Sequence, residues 1–145
     1  MRSLFFVLLC LSCLTLGGCG GGNAERNPLP TRSVAVDQEF SLRVGEEAGL
    51  PEEGLSLVLL AVPEDSRCPE DAACPSEGNA RLRVELRKTD QTRAIVELNT
   101  SPLAGSRQGI YLNYVVKLIS LAPNPRTERT IASGDYVANL MVSRQ

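Results

Sequence analysis

The sequence predicts an all-β protein, a small antiparallel β-sandwich of the immunoglobulin-like type with about seven strands and one disulfide-pinned loop. Apolar and polar residues alternate with a period of two in several short segments. These segments recur at intervals of about 10–20 residues and are separated by Gly- and Pro-containing turns. No segment after residue 18 keeps an apolar helical period over three turns. The strand count alone is also compatible with a small barrel.

The individual strands follow from the alternation. The clearest pattern covers residues 80–87, where Ala, Leu and Val alternate with Arg81, Arg83, Glu85 and Arg87. This pattern predicts a half-buried strand with a charged outer face. Residues 55–62 form a near-continuous apolar run, which is typical of a central strand. The remaining predicted strands cover residues 40–44, 94–98, 110–121 and 136–142.

The first 18 residues have the organisation of a secretory signal peptide. The apolar run from Leu4 to Leu16 follows Arg2 and is shorter than the roughly 20 residues that a transmembrane helix needs. The sequence Leu16-Gly17-Gly18-Cys19 resembles the lipobox of bacterial lipoproteins, where a peptidase cuts before a diacylated cysteine. The resemblance implies that Cys19 is lipidated and anchors the protein to a membrane of the cell envelope. An ordinary signal-peptidase site is the alternative. Because Gly and not Asp follows Cys19, an outer membrane is favoured if the organism has one.

The chain after the signal peptide divides into two parts. Residues 19–36 hold the lipidated cysteine and a stretch rich in Gly, Pro and Asn, which predicts a flexible tether. Residues 37–145 have the length of a single domain and hold the predicted strands.

The five cysteines sort by position. Cys10 and Cys13 leave with the signal peptide and Cys19 is lipidated, so Cys68 and Cys74 remain. In an exported protein, two leftover cysteines favour a disulfide. A zinc site is the rival interpretation, but it needs four Cys or His ligands, and the chain has no histidine.

Charge is unevenly distributed. Residues 37–77 contain eleven Asp and Glu residues against two arginines, whereas residues 78–145 contain ten Arg and Lys residues against five acids. Pairing across the sheet surface explains this asymmetry, and steering of a charged partner is the alternative. The net charge of −2 and the few aromatic residues argue against nucleic-acid binding.

A local signature surrounds the cysteine pair: Glu64-Asp65-Ser66-Arg67-Cys68-Pro69, then Cys74, then Gly78-Asn79-Ala80. It resembles a group of small bacterial lipoproteins and exported domains of unassigned activity. The resemblance extends to Phe40-x-Leu42 and Tyr136-x-Ala138-x-Leu140, and it implies a small β-sandwich. That group usually has an apolar stretch with Trp where this chain has Pro75-Ser76-Glu77.

Two roles are open for Glu64, Asp65 and Arg67. Asp65 can cap the turn by accepting backbone hydrogen bonds, and Arg67 can pair with Asp65 or Glu64. In the functional interpretation, the pinned loop presents all three side chains to a partner. Tyr136 similarly resembles the tyrosine corner of immunoglobulin-like sandwiches, with core packing as the alternative.

No catalytic constellation is visible, and we expect no enzymatic activity and no cofactor. The absence of His excludes Ser-His and Cys-His nucleophiles. The leading hypothesis is a lipid-anchored envelope protein that binds a protein partner. The alternatives are an inhibitor that inserts the Cys68–Cys74 loop into a hydrolase, and a small-ligand or Ca²⁺ binder. For Ca²⁺, the acids at 46, 47, 52, 53, 70 and 71 lack EF-hand spacing, and a solvated acidic face is the favoured interpretation of these residues.

Overall fold

The computed structural model describes residues 32–90 and 92–145, and nine strands in two sheets confirm the all-β prediction. The predicted signal peptide, the predicted lipidation site Cys19 and most of the predicted tether lie outside the described residues. The strands are β1 (Arg32–Ser33), β2 (Glu39–Arg43), β3 (Glu47–Leu50), β4 (Leu55–Asp65), β5 (Ala80–Lys88), β6 (Arg93–Asn99), β7 (Gln108–Tyr111), β8 (Tyr114–Ala122) and β9 (Val137–Arg144). Two short 3₁₀ turns cover Pro51–Glu53 and Ser133–Asp135.

The strands form a five-stranded sheet in the order β1-β3-β4-β5-β6 and a four-stranded sheet in the order β2-β9-β8-β7. All pairs are antiparallel except β1 with β3. Within the described residues, no helix has the length and apolar character needed to cross a membrane.

Alternation in the sequence builds a single core between the sheets. In β5, Leu82, Val84 and Leu86 are fully buried, while Arg83 and Arg87 are exposed on the outer face, as the pattern predicts. Leu118 and Leu140 supply matching buried side chains from the other sheet. Each fully buried side chain of this size contributes about 1.5–3 kcal/mol relative to an exposed one.

The number of strands differs from the expected seven or so because short strands carry weak patterns. β1 has two residues and β3 has four, one of them glycine. The run 110–121, expected to be one strand, is split by a two-residue turn at Leu112 and Asn113. The turn contains neither glycine nor proline, so the sequence does not reveal it. Instead, Leu112 adopts φ 54°, a left-handed conformation that leucine rarely takes.

The folded domain begins earlier than predicted. Arg32 and Ser33, placed in the tether at 19–36, form β1. Val34 donates its N–H to the carbonyl oxygen of Gly49 at 2.9 Å, and Val34 and Val36 pack against the core. Apolar burial in this stretch therefore offsets the cost of ordering the chain.

The two ends of the sandwich differ. At the loop end, β4 runs into the disulfide loop (66–79), and segments 99–106 and 122–136 lie beside it. The opposite end carries the 3₁₀ turn at Pro51–Glu53 and the β7–β8 turn. β1 lies at the level of Ser56 and Leu57, since it pairs with β3 opposite those residues. The chain therefore enters the described domain roughly 25 Å along β4 from Asp65.

Candidate functional site

At the loop end, a largely buried ion pair joins the two sheets. Arg67 donates to Asp65 through Nε to Oδ1 at 2.9 Å and through Nη2 to Oδ2 at 2.7 Å. The same guanidinium donates to the carbonyl oxygens of Leu121 at 2.7 Å and Pro123 at 2.9 Å. The hydroxyl of Tyr136 donates to Oδ2 of Asp65 at 3.1 Å. We call Asp65, Arg67 and Tyr136 the loop-end clamp.

The ionisation of the loop-end clamp follows from these contacts. Burial acts to raise the pKa of Asp65, but the hydrogen bonds and positive charge of Arg67 outweigh it, so this pKa lies below its ordinary value. Burial, followed by the negative charge of Asp65, raises the pKa of Tyr136. Asp65 is therefore ionised and Tyr136 is a neutral donor at neutral pH.

The clamp supports the structural role of Asp65 and Arg67. The predicted turn cap is present, since the N–H of Arg67 donates to Oδ1 of Asp65 at 3.1 Å. Their side chains are only 9% and 11% exposed, which leaves little surface for a partner. Glu64 differs from them because its side chain is 64% exposed and pairs with Arg81. Tyr136 is buried and bonds a carboxylate, whereas the tyrosine of a tyrosine corner bonds the backbone.

A second clamp, with a glutamate in place of the aspartate, closes the opposite end. Glu53 accepts hydrogen bonds from Tyr114 Oη at 2.8 Å and from Arg144, and its side chain is 8% exposed. The hydrogen bond from Arg144, then that from Tyr114, lowers the pKa of Glu53. Lys88 donates to the Glu53 carbonyl oxygen at 2.7 Å. Sequence reasoning placed Glu53 on a solvated acidic face, because its partners are distant in the chain.

The disulfide between Cys68 and Cys74 is confirmed, with a Cα–Cα distance of 5.9 Å. The residues that the structure describes contain no group of three or more His, Cys, Asp or Glu side chains placed to hold a metal ion. The cysteine pair therefore acts as a covalent link across the disulfide loop.

Polar contacts fix the disulfide loop against segment 122–136. Glu70 accepts from Asn124 Nδ2 at 2.6 Å and pairs with Arg126 at 3.4 Å. Asp71 accepts from the backbone N–H and the hydroxyl of Thr127, both at 2.9 Å. These two bonds lower the pKa of Asp71. Both acids, weighed as Ca²⁺ ligands in the sequence, are thus bonded to the neighbouring segment.

Three ion pairs join the acidic first part of the domain to the basic second part: Glu64 with Arg81, Glu70 with Arg126, and Glu53 with Arg144. The pair of Glu64 with Arg81 joins neighbouring strands of a sheet, which is the kind of pairing expected from the sequence.

Asn79 holds the second loop of this end. Its Oδ1 accepts from the N–H of Ser101 at 3.0 Å and from the hydroxyl of Thr100 at 3.3 Å. Its Nδ2 donates to Oδ1 of Asn99 at 2.8 Å. These bonds fix the base of a turn at 101–104, closed by a 3.2 Å hydrogen bond from Ala104 N–H to the Ser101 carbonyl. At this turn, Leu103 is 98% exposed. Sequence reasoning missed Leu103, since a loop position alone does not show how far a side chain projects.

A groove of about 510 Å³ lies between the disulfide loop and this turn. Six exposed residues contribute to its lining: Ser66, Pro75, Ser76, Glu77, Leu103 and Ala104. Among the described residues, Glu77 forms no ion pair. The groove thus combines an exposed apolar wall with an uncompensated carboxylate.

Comparison with known proteins gives no match: no family profile, no curated protein and no solved structure resembles the chain significantly. The chemistry of the loop end is therefore the basis for the functional interpretation that follows.

Proposed function

We propose that the protein is a lipid-anchored, non-catalytic module of the cell envelope that binds a protein partner through its loop end. The observation that carries the proposal is Leu103, which is 98% exposed on a turn held by the side chain of Asn79. A fixed loop loses little conformational entropy on binding, and exposed apolar side chains become anchors once desolvated.

The placement of the loop end fits an anchored protein. The lipobox-like sequence at Leu16–Cys19 is the basis for the anchor. The chain enters the described domain near the opposite end of the sandwich, roughly 25 Å along β4 from the loop end. The proposed anchor therefore does not attach at the proposed binding surface.

A binding role also suits the chemistry of the chain. The sequence has no histidine, which excludes Ser-His and Cys-His nucleophiles. Cys68 and Cys74 are joined in the disulfide, so neither offers a thiolate.

The test is cross-linking capture from intact native cells, with mass spectrometry of the captured proteins. We expect one dominant envelope partner from the wild-type chain and loss of membrane association for Cys19→Ala. Capture of many proteins at equal yield, or of none, would contradict the binding proposal. If Cys19→Ala stays in the membrane fraction, the anchor is wrong. A hydrolase as the dominant partner would identify the module as an inhibitor.

A further inference from the structure

The groove between the disulfide loop and the turn at 101–104 combines three features that a partner protein can recognise. Leu103 and Ala104 form an exposed apolar wall, Pro75 lies on the disulfide-loop side, and Glu77 adds an unpaired carboxylate. Glu77 is the acid of the disulfide loop that lines the groove, since Glu70 pairs with Arg126 and Asp71 accepts hydrogen bonds from Thr127. The groove lining therefore holds one carboxylate and, among the described residues, no basic side chain.

Both walls of the groove are fixed in the folded state. On one side, the disulfide holds the loop, and the N–H of Cys68 donates to the Glu77 carbonyl oxygen at 2.8 Å. On the other side, Asn79 holds the turn through Ser101. Within the disulfide loop, Gly78 adopts φ 68°, and a β-carbon there would lie 1.8 Å from the Ser66 carbonyl oxygen. The two sides of this loop approach so closely at this point that only glycine fits.

From this arrangement we propose that the groove binds a segment of a partner protein that carries a Lys or Arg beside an apolar side chain. The basic group pairs with Glu77, and the apolar group packs on Leu103. This inference rests on the proposed function and names the surface and the chemistry of the partner. Removing Leu103 and its counterpart from water supplies the affinity, while the charge pair supplies orientation.

Other occupants fit less well. Small-molecule sites bury most of their ligand in a concave pocket, but six of the groove's lining residues are exposed. An anionic lipid surface repels the free carboxylate of Glu77. A second copy docking groove to groove by two-fold symmetry brings two Glu77 carboxylates together, with no basic side chain in the described lining to pair with them.

The test uses the full chain in its native cells, with a photo-crosslinking amino acid at Ala73, an exposed position in the disulfide loop. The variants Leu103→Asp and Glu77→Lys alter the groove. Their matched controls are Leu112→Asp, at an exposed leucine of the opposite end, and Glu52→Lys, at an exposed acid of that end. We expect the yield of the partner adduct to fall at least tenfold for each groove variant and to stay within twofold for each control.

Each outcome is decisive. If the adduct persists in both groove variants, the groove assignment is overturned and the proposed function stands. If the controls reduce the adduct as much as the groove variants, binding does not reside in the groove. If the wild-type chain gives no adduct, both the inference and the proposed function fail. If Leu103→Asp lowers the adduct yield and Glu77→Lys does not, the proposal that a basic group of the partner pairs with Glu77 is overturned.

Discussion

The hydroxyl of Tyr136 donates a hydrogen bond to Oδ2 of Asp65 at 3.1 Å, and this bond has a counterpart at the other end of the molecule. There, Tyr114 donates to Glu53 at 2.8 Å. In each case an arginine pairs with the same carboxylate. Tyr136 directly precedes β9 and Tyr114 begins β8, both strands of the four-stranded sheet. Asp65, in contrast, ends β4 and Glu53 precedes β4 on the five-stranded side. The apolar core thus lies between two polar clamps that join the sheets.

Replacing Tyr136 by Phe should lower the free energy of unfolding by about 1.5 kcal/mol, because a hydrogen bond to a charged, largely buried carboxylate is lost. Urea denaturation monitored by circular dichroism measures the change. The matched control is Tyr111→Phe, since the hydroxyl of Tyr111 bonds Thr92 in an exposed turn. The control should cost about 0.5–1 kcal/mol. Equal losses would mean that the charged partner adds nothing.

Replacing Arg67 by Met should destabilise the domain by about 3–5 kcal/mol, because the Asp65 carboxylate is left largely buried and without its cation. Arg67→Lys should recover little of this loss, since an ammonium group cannot reproduce the bidentate geometry and also reach both carbonyl groups. Arg83→Met, at an arginine whose side chain is 47% exposed, is the control. A loss below about 1 kcal/mol for Arg67→Met would contradict the clamp.

The loop-end clamp predicts that acidic pH lowers the stability of the domain. The pKa of Asp65 in the folded protein lies below its ordinary value of about 3.9, so the folded state binds this proton less readily than the unfolded state. The contribution of the Asp65 carboxylate to the free energy of unfolding is fully present at pH values above that ordinary pKa. It is lost as the pH falls through the pKa of Asp65 in the folded protein. The stability difference between wild type and Asp65→Asn should therefore shrink as pH falls from about 5 to 2. A constant difference would be inconsistent with the lowered pKa.

Replacing Gly78 by Ala should disrupt the loop end. Its φ of 68° is unfavourable for Ala, and the new β-carbon would meet the Ser66 carbonyl oxygen at 1.8 Å. We expect a loss of stability of at least about 2 kcal/mol. Gly134→Ala is the control, because nothing lies within 4 Å of a β-carbon there. Thermal unfolding of both variants checks the prediction, and similar melting temperatures would refute it.

Removing the disulfide should cost less than breaking the clamp. For so short a loop, the chain-entropy relation gives about 2 kcal/mol for Cys68→Ser with Cys74→Ser. We expect the core strands to keep their hydrogen-exchange protection while residues 69–77 lose theirs. Global unfolding of the double variant at neutral pH would show that the disulfide, and not the clamp, holds this end.

Parts of this architecture follow directly from local sequence. The alternation at 80–87 places Leu82 inside and Arg83 outside, because side chains of a strand point to opposite faces. Asp65 and Arg67 are two residues apart, so their pairing is visible as a turn. The disulfide follows from counting the cysteines that lie outside the predicted signal peptide and the predicted lipidation site.

Long-range contacts could not be predicted in the same way. Tyr136 is 71 residues from Asp65, and Arg144 is 91 residues from Glu53. No local pattern signals either pair, since both depend on the register of strands from different sheets. The left-handed conformation of Leu112 is likewise set by the hairpin and not by its own preference. These are the contacts that clamp the sandwich.

The most direct test of the central claim, that the loop end is the partner-binding surface, compares two photo-crosslinking positions in the full chain in native cells. Ala73 lies on the disulfide loop, and Asn113 is exposed in the β7–β8 turn at the opposite end. The account predicts one dominant adduct from Ala73 and none from Asn113. An adduct from Asn113 alone, or equal adducts from both positions, would contradict it.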